Sequence, residues 1–257
     1  MTGSGEYPWQ ADAYGDSYAD VYDEVMKDVP SEIPDMVAVL RGLNIHTLLE
    51  FGSGTGRLAI PLSGAGFSIT AVEASARMLD VMQAKPGAER VRVCKGDFSE
   101  ISVGSLFDGV LLSRNTLLAL PTQRLQLATV RNASRHIRDG GKAFIDLGTP
   151  RPHSSPVLRY GGPMKDGLVF HHESHDAVAQ RVDFTRIFIG PGSCSVVRTV
   201  SRYVWPSELD LMASLADLCL FDRWSDWTRS PYGASSDAFV SVFGKQPVAL
   251  VSGTDRR

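Results

Sequence analysis

Along the first 150 positions apolar residues cluster with two different periods, and the periods alternate. Ile33, Met36, Val37 and Leu40 recur at i, i+3, i+4 and i+7, which predicts an amphipathic helix capped by Ser31 and ended by Gly42 and Asn44. Short apolar runs then alternate with helical patterns. Strands are predicted at 46–51, 67–72, 91–94, 107–112 and 142–147. Helices are predicted from Leu58 to about Ser63 with Thr55 as its cap, from Ser75 to Met82 and from Thr122 to Ile137, the last stopped by Gly140 and Gly141. Strands and helices in this alternation predict a parallel, doubly wound α/β sheet.

Beyond residue 150 the texture changes. A proline- and glycine-rich loop leads to three strand-like runs, at about 167–174, 180–189 and 194–204, with no helical pattern between them. They predict a small antiparallel β insertion lying over the crevice. A helix capped by Ser207 and two strands, at about 219–227 and 237–243, close the pattern. The expected organisation is an N-terminal helical lid (1–45), a core (46–150), the β insertion (151–204), a C-terminal helix and hairpin completing the sheet (205–247), and a tail (248–257). Residues 1–10 read as a loose start. Tyr14, Tyr18 and Tyr22 share one helical face. They either pack on the core or form a lid whose phenols close over a ligand.

Bulk properties narrow the function. The 257 residues are 43% apolar, enough for a full core, and the net charge of −3 argues against a nucleic-acid partner. Three separated cysteines form neither a metal spacing nor a disulfide framework. With no signal pattern at the start and no membrane-length apolar run, the expectation is a cytoplasmic protein acting as a monomer or homodimer, away from membranes.

The chemistry gathers at strand ends. Leu48-Leu-Glu-Phe-Gly-Ser-Gly-Thr-Gly56 reads as a buried strand running into a tight glycine turn. Without Cβ atoms the backbone amides of Gly52 and Gly54 can approach a bound molecule closely. Glu73, Asp97 and Ser113–Asn115 end three further strands, and in such sheets ligands bind outside the carboxyl ends. Glu73 suits two vicinal ribose hydroxyls, because a carboxylate only accepts and has two oxygens. Asp97 can accept from an exocyclic amine, with Phe98 near the ring. Glu50 can receive an ammonium group. The spacing of the glycines departs from the dinucleotide fingerprint, whose third glycine comes one residue later.

Glu50-Phe-Gly-Ser-Gly-Thr-Gly56, Val72-Glu73, Lys95-Gly-Asp-Phe98, Phe107-Asp108 and Arg138-Asp-Gly-Gly141 resemble the successive motifs of class I S-adenosylmethionine (SAM)-dependent methyltransferases. Tyr14 and Tyr22, Asn115-Thr-Leu-Leu118, Arg202-Tyr203 and Ser230-Pro-Tyr232 resemble a subgroup acting on small molecules, which includes glycine- and amino-sugar N-methyltransferases and natural-product tailoring enzymes. The resemblance implies a mostly parallel seven-stranded Rossmann-like sheet, SAM as cofactor and S-adenosylhomocysteine as product. It implies that Gly52, Ser53, Gly54, Arg57, Ser113 and Asn115 surround the methionine end, with Glu73 at the ribose. Ala74, Met78, Asp97 and Phe98 would lie around the adenine, and Tyr14 and Tyr22 would close the lid. Arg114, Leu118, His172 and Trp205 fall on the acceptor side.

The expected reaction is transfer of a methyl group to an N, O or C nucleophile of a small molecule, probed further by the base candidates in Phe170-His-His-Glu-Ser-His-Asp176. On a strand His171, Glu173 and His175 share one face and His172 takes the other. His171 and His175, with Tyr14 in the lid, are the candidate catalytic groups, and His153 and Tyr160 are weaker ones. No metal is expected, since His171 and His175 lack an evident third ligand. Two alternatives share the cofactor: a non-methylating, cyclase-like enzyme, and an RNA or protein methyltransferase. The acidic chain and the Ser113-Arg-Asn-Thr116 strand end disfavour the nucleic-acid variant.

Overall fold

The computed structural model describes residues 10–26 and 30–245, so the readings of a loose start and of a 248–257 tail lie outside the described residues. Its core is a seven-stranded sheet built from β1 (Thr47–Phe51), β2 (Ser68–Glu73), β3 (Arg92–Lys95), β4 (Phe107–Leu112), β5 (Ile137–Gly148), β10 (Leu218–Trp224) and β11 (Ala238–Lys245). The strand order is β10-β11-β5-β4-β1-β2-β3. β1 pairs in parallel with both β2 and β4, so the order reverses between β1 and β4, and the ends of these two strands open onto one crevice. Only β11 runs against the rest.

The helices cover both faces. α3 (Ile33–Gly42) and α4 (Ala59–Gly64) lie on the side where Met36, Leu40, Leu62 and Phe144 are fully buried. α6 (Gln123–His136) and α7 (Pro206–Ser214) cover the other, where Val130, Leu209 and Phe239 are buried. α5 (Ala76–Gln83) follows β2. Ser75 caps α5 by accepting from the Met78 amide, and Thr122 caps α6 by accepting from Leu125.

Several expected details differ. Ser31, Thr55 and Ser207 do not cap. α3 follows a 3-10 turn at Pro30–Glu32, α4 starts only at Ala59, and Ser207 sits inside the first turn of α7 behind Pro206. The Thr55 hydroxyl instead donates to Asp23 at 2.6 Å. β5 starts at Ile137, with no loop after α6. Gly140, at φ +79°, bends the chain within the strand where its pairing with β4 shifts register.

The insertion is a four-stranded antiparallel sheet: β6 (Val157–Met164), β7 (Gly167–Asp176), β8 (Arg181–Gly190) and β9 (Ser193–Arg202). β6 lies in the stretch read as a proline- and glycine-rich loop. It is an edge strand, where proline and glycine are tolerated because one side of the backbone needs no partner. The tyrosine stripe spans two short helices, α1 (Ala13–Tyr18) and α2 (Tyr22–Val25). The insertion's inner face, through Val169 and Phe188, packs on Tyr18, Ala19 and Met78. The helical lid is therefore sandwiched between the core and the β sheet.

Candidate functional site

At the tip of β1 three polar groups are buried without partners: Glu50 Oε2, Ser53 Oγ and one terminal nitrogen of Arg57. All three residues line a small cavity of about 40 Å³ between the ends of β1 and β4. Burial, reinforced by the neighbouring Glu73 carboxylate, pushes the Glu50 carboxyl up to about 8, although it accepts from the Ala59 amide. Arg57 lies 5.5 Å from the centroid of the Tyr22 ring, which forms part of the same wall. An acceptor, a donor and a hydroxyl left unmet together cost several hydrogen bonds. A zwitterionic amino-acid end satisfies them all, its ammonium on Glu50 and its carboxylate on Arg57. The methionine end of SAM therefore fits the donor set.

The glycine turn frames this cavity. Gly52, at φ +68°, approaches Thr116 so closely that a Cβ would fall 2.6 Å from Thr116 Cγ2. At Gly54, φ +55°, a Cβ would meet only the Tyr22 ring, 4.0 Å away. The space left by Gly54 faces the lid, and a ligand can use it. The Gly54 amide donates to Glu73 Oε2 at 2.9 Å, while Glu73 Oε1 accepts from Ala74 at 3.0 Å and Ser75 at 2.9 Å. Glu73 thus holds the turn in shape with three of its lone pairs, and burial raises its pKa despite these bonds.

Past Glu73 a second, open cleft of about 660 Å³ is lined by Ala74, Lys95, Gly96, Asp97 and the start of the lid at Gln10–Asp12. Asp97 accepts from the Ser99 amide at 2.7 Å. Glu73 links the two, bonding the Gly54 amide in the turn that frames the small cavity and the Ala74 amide at the open cleft, an arrangement suited to a long ligand with an amino-acid end and an aromatic end. Two expected adenine neighbours have their side chains packed in the core. Phe98 stacks on Phe51 in the core, centroids 6.0 Å apart, and Met78 is buried beneath Tyr18. Both are apolar residues whose burial in the core outweighs exposure to a crevice.

At the end of β4, Ser113 donates to Asp146 at 2.7 Å and Trp227 Nε1 to the same oxygen at 3.3 Å. Asp146, buried on β5, organises this wall. No motif singles it out, but a carboxylate two residues before the end of an apolar strand is the signal. Asn115, at φ +68°, is turned away from the cavity and accepts from the Gly148 amide at 2.6 Å. Arg114 lines the cavity and pairs with Glu32 at 2.6 Å. Leu118 packs against the core, and Trp205 sits ahead of α7 against Tyr203, lining neither cavity.

The comparisons agree with this geometry. A family described as a methyltransferase domain matches residues 48–141. A cypemycin N-terminal methyltransferase from Streptomyces sp. is 30% identical over 216 residues, covering 80% of this chain and 86% of that protein. The chain is a SAM-dependent methyltransferase. The CcbJ methyltransferase structure from Streptomyces caelestis superposes with a TM-score of 0.85 at 30% identity, covering 93% of this chain and 100% of that one. A sugar N-methyltransferase, KedS8 from Streptoalloteichus sp., shares the fold at a TM-score of 0.70 and 18% identity, over 96% of this chain and 100% of that one. The class I fold and the natural-product type of its relatives match the resemblance seen in the sequence.

The lid of this methyltransferase is tied down by polar contacts that no pattern announced. Gly15 lets α1 lie on Ser75, whose Cβ would be 2.4 Å from a Cβ at position 15. Ser75 Oγ donates to Asp16 at 2.5 Å, and Lys85 pairs with Asp23 at 2.6 Å. Tyr14 stacks on Tyr18 at 5.2 Å, and burial raises the pKa of both and of Tyr22, so these phenols stay neutral.

On the insertion, register pairs Val169 with Phe188, His171 with Arg186, Glu173 with Phe184 and His175 with Val182. Since Val169 and Phe188 face the lid, so do His171, Glu173 and His175. His172 pairs with the exposed Leu158 on the opposite face, away from the crevice, so its expected place on the acceptor side is corrected. Arg186 stacks on Phe184 and Tyr18 and donates to the Tyr18 hydroxyl. Gly161 leaves room for the His171 ring, 2.7 Å from where a Cβ would stand. Desolvation, then Arg186, holds the His171 imidazole below its usual pKa. His171 and His175 do not act as a pair: His175 crosses His153 edge to face at 5.2 Å and lies 3.5 Å from Glu173.

No helix among the described residues is long and apolar enough to cross a membrane.

Proposed function

We propose that this methyltransferase transfers the methyl group of SAM to an amine nitrogen of a natural product, releasing S-adenosylhomocysteine. The observation that carries the reading is the make-up of the methionine cavity. Of its lining residues only Glu50 is a carboxylate, none is an imidazole, and Glu50 is engaged by the ligand's ammonium. An amine with a free lone pair needs alignment and water exclusion more than a strong base. A phenol or carbon acid depends more on one. The relative described as an N-terminal methyltransferase supports the same acceptor atom.

In this reading SAM supplies the reactive methyl group, and the chain supplies position. Glu50, Ser53 and Arg57 hold the amino-acid end, with Ser113 and the Asp146 wall behind it. The glycine turn, shaped by Glu73, gives close approach to the ribose, and Ala74 and Asp97 take the adenine. The Tyr22 face lies where a sulfonium is attracted to a π cloud, and Tyr14 seals the lid above. Arg114 and the inner face of the insertion receive the acceptor. His171, unprotonated at neutral pH, accepts the proton an ammonium acceptor must lose.

The test is a panel of amines, phenols and carbon acids incubated with methyl-deuterated SAM, read by S-adenosylhomocysteine formation and by fragmentation mass spectrometry that locates the label. Label on nitrogen supports the reading. Label found only on oxygen or carbon overturns it.

A further inference from the structure

The segment leaving β5 meets the inner face of β7 at a cluster the methyl transfer does not use. Ligand atoms of His153, Glu173 and His175 all lie within 4.8 Å of one another. The His175 side chain is only 8% exposed, yet neither of its ring nitrogens has a hydrogen-bond partner. A buried imidazole with both nitrogens unmet is unfavourable unless something else binds it. Its Nε2 is 3.5 Å from Glu173 Oε2. Tetrahedral zinc, with bonds near 2.0–2.1 Å, spaces its ligand atoms about 3.3 Å apart, so this pair already stands close to one edge of such a site. His153 is exposed and can close the remaining gap by side-chain rotation.

We propose that His153, Glu173 and His175 bind a divalent transition-metal ion, zinc foremost. Two imidazoles and one carboxylate suit zinc, whereas magnesium and calcium prefer oxygen ligands throughout. Three protein ligands leave a fourth position to water. The cluster already attracts a cation, for the Arg159 guanidinium contacts His153 Nε2 at 3.1 Å and Glu173 Oε2 at 3.3 Å. His153 Nε2 accepts in that contact, so it carries the lone pair that ligation requires. Arg159 is half exposed and swings into solvent when the metal enters. Arg159 therefore competes with the ion and sets the concentration at which the site fills. Once bound, the metal ties residue 153 to β7 and fastens the root of the insertion beside the lid.

The experiment uses the full chain without a histidine tag, stripped with a chelator and titrated with zinc against a chromophoric competitor. Cobalt is then substituted for zinc to report the ligands. One ion per chain is expected, held tighter than about 1 µM. The cobalt spectrum should show four-coordinate bands without sulfur charge transfer, which excludes Cys94, Cys194 and Cys219. His153→Ala, at an exposed position, and His175→Ala should each weaken binding by about 100-fold, with circular dichroism confirming the fold. Arg159→Ala should tighten it by about tenfold. Absence of stoichiometric binding, binding indifferent to His153→Ala, or weaker binding by Arg159→Ala would each overturn the site.

Discussion

The cofactor crevice and the β insertion face each other across the tyrosine lid, and they are built by opposite means. The crevice is shaped by backbone at strand ends, with Glu50, Ser53 and Arg57 set into it. Gly52 and Gly54 shape it, and Glu73 pins it through three amides. The insertion presents long side chains from the face of a sheet, and His171 and Arg186 keep buried polar atoms unmet. The first region is settled before any ligand arrives and suits one invariant cofactor. The second leaves hydrogen-bonding capacity open toward whatever acceptor enters. Constancy of the donor and variety of the acceptor are thus divided between two pieces of structure.

Breaking the first region should have the largest effect. Glu73→Ala strips the acceptor from the Gly54, Ala74 and Ser75 amides. We expect about 2–4 kcal/mol of lost stability by denaturant unfolding and SAM affinity reduced by more than about 100-fold in calorimetry. Affinity within a few-fold of the parent would mean the turn is shaped by something else.

Glu50→Gln should come next, with a pH signature. The carboxyl titrates near 8 in the ligand-free enzyme, and an adjacent ammonium lowers that value. SAM binding at pH 7 should therefore release a proton, visible as a dependence of binding heat on buffer ionisation. Affinity should rise with pH up to about 8. In the ligand-free protein the sign reverses. Between the ordinary 4.5 and about 8 the folded state keeps a proton that the unfolded chain has lost, so stability falls as pH rises through that window. In Glu50→Gln the binding slope should vanish and the stability slope should shrink to what the raised Glu73 carboxyl leaves, and an unchanged slope in either would assign the proton elsewhere.

His171→Ala tests the second region. Turnover should drop by about 10–100-fold while SAM affinity stays unchanged. Because burial and Arg186 hold this imidazole below 6.5, any acid limb it causes should lie below that pH. A loss of cofactor affinity instead would show that the two regions are not separable. The smallest effect belongs to His172→Ala, on the outward face, which should alter turnover and affinity by no more than about twofold.

The division also explains what the sequence disclosed. Strand tips are legible because apolar runs end abruptly in glycine or carboxylate, and Glu50, Gly52, Glu73 and Asp97 announce themselves so. The period-two pattern likewise put His171, Glu173 and His175 on one face. The core packing of Phe98 and Met78 was not legible because a motif position gives proximity to a ligand but not the direction of the side chain. Each stands beside the crevice and turns into the core. β6 was hidden because an edge strand keeps glycine and proline. Asp146 stayed silent because its partner, Ser113, lies 33 residues away in sequence, and His153, legible only as a weaker base candidate, gave no sign of His175, 22 residues away and joined to it only by the fold.

One end of the insertion is fastened far more firmly than the other. Where β9 rejoins the core, the nearly buried Arg202 binds Gln126, Gln180 and Glu208 at 2.7–3.0 Å. At the β6–β7 turn a single polar contact among the described residues, from the Lys165 amide to Glu24 at 2.6 Å, reaches the helices below. Product escape should therefore proceed like a door swinging on Arg202, with Lys165 as the latch. Hydrogen exchange should find the Lys165 amide opening well before that of Tyr203, and equal rates would mean the door has no hinge there.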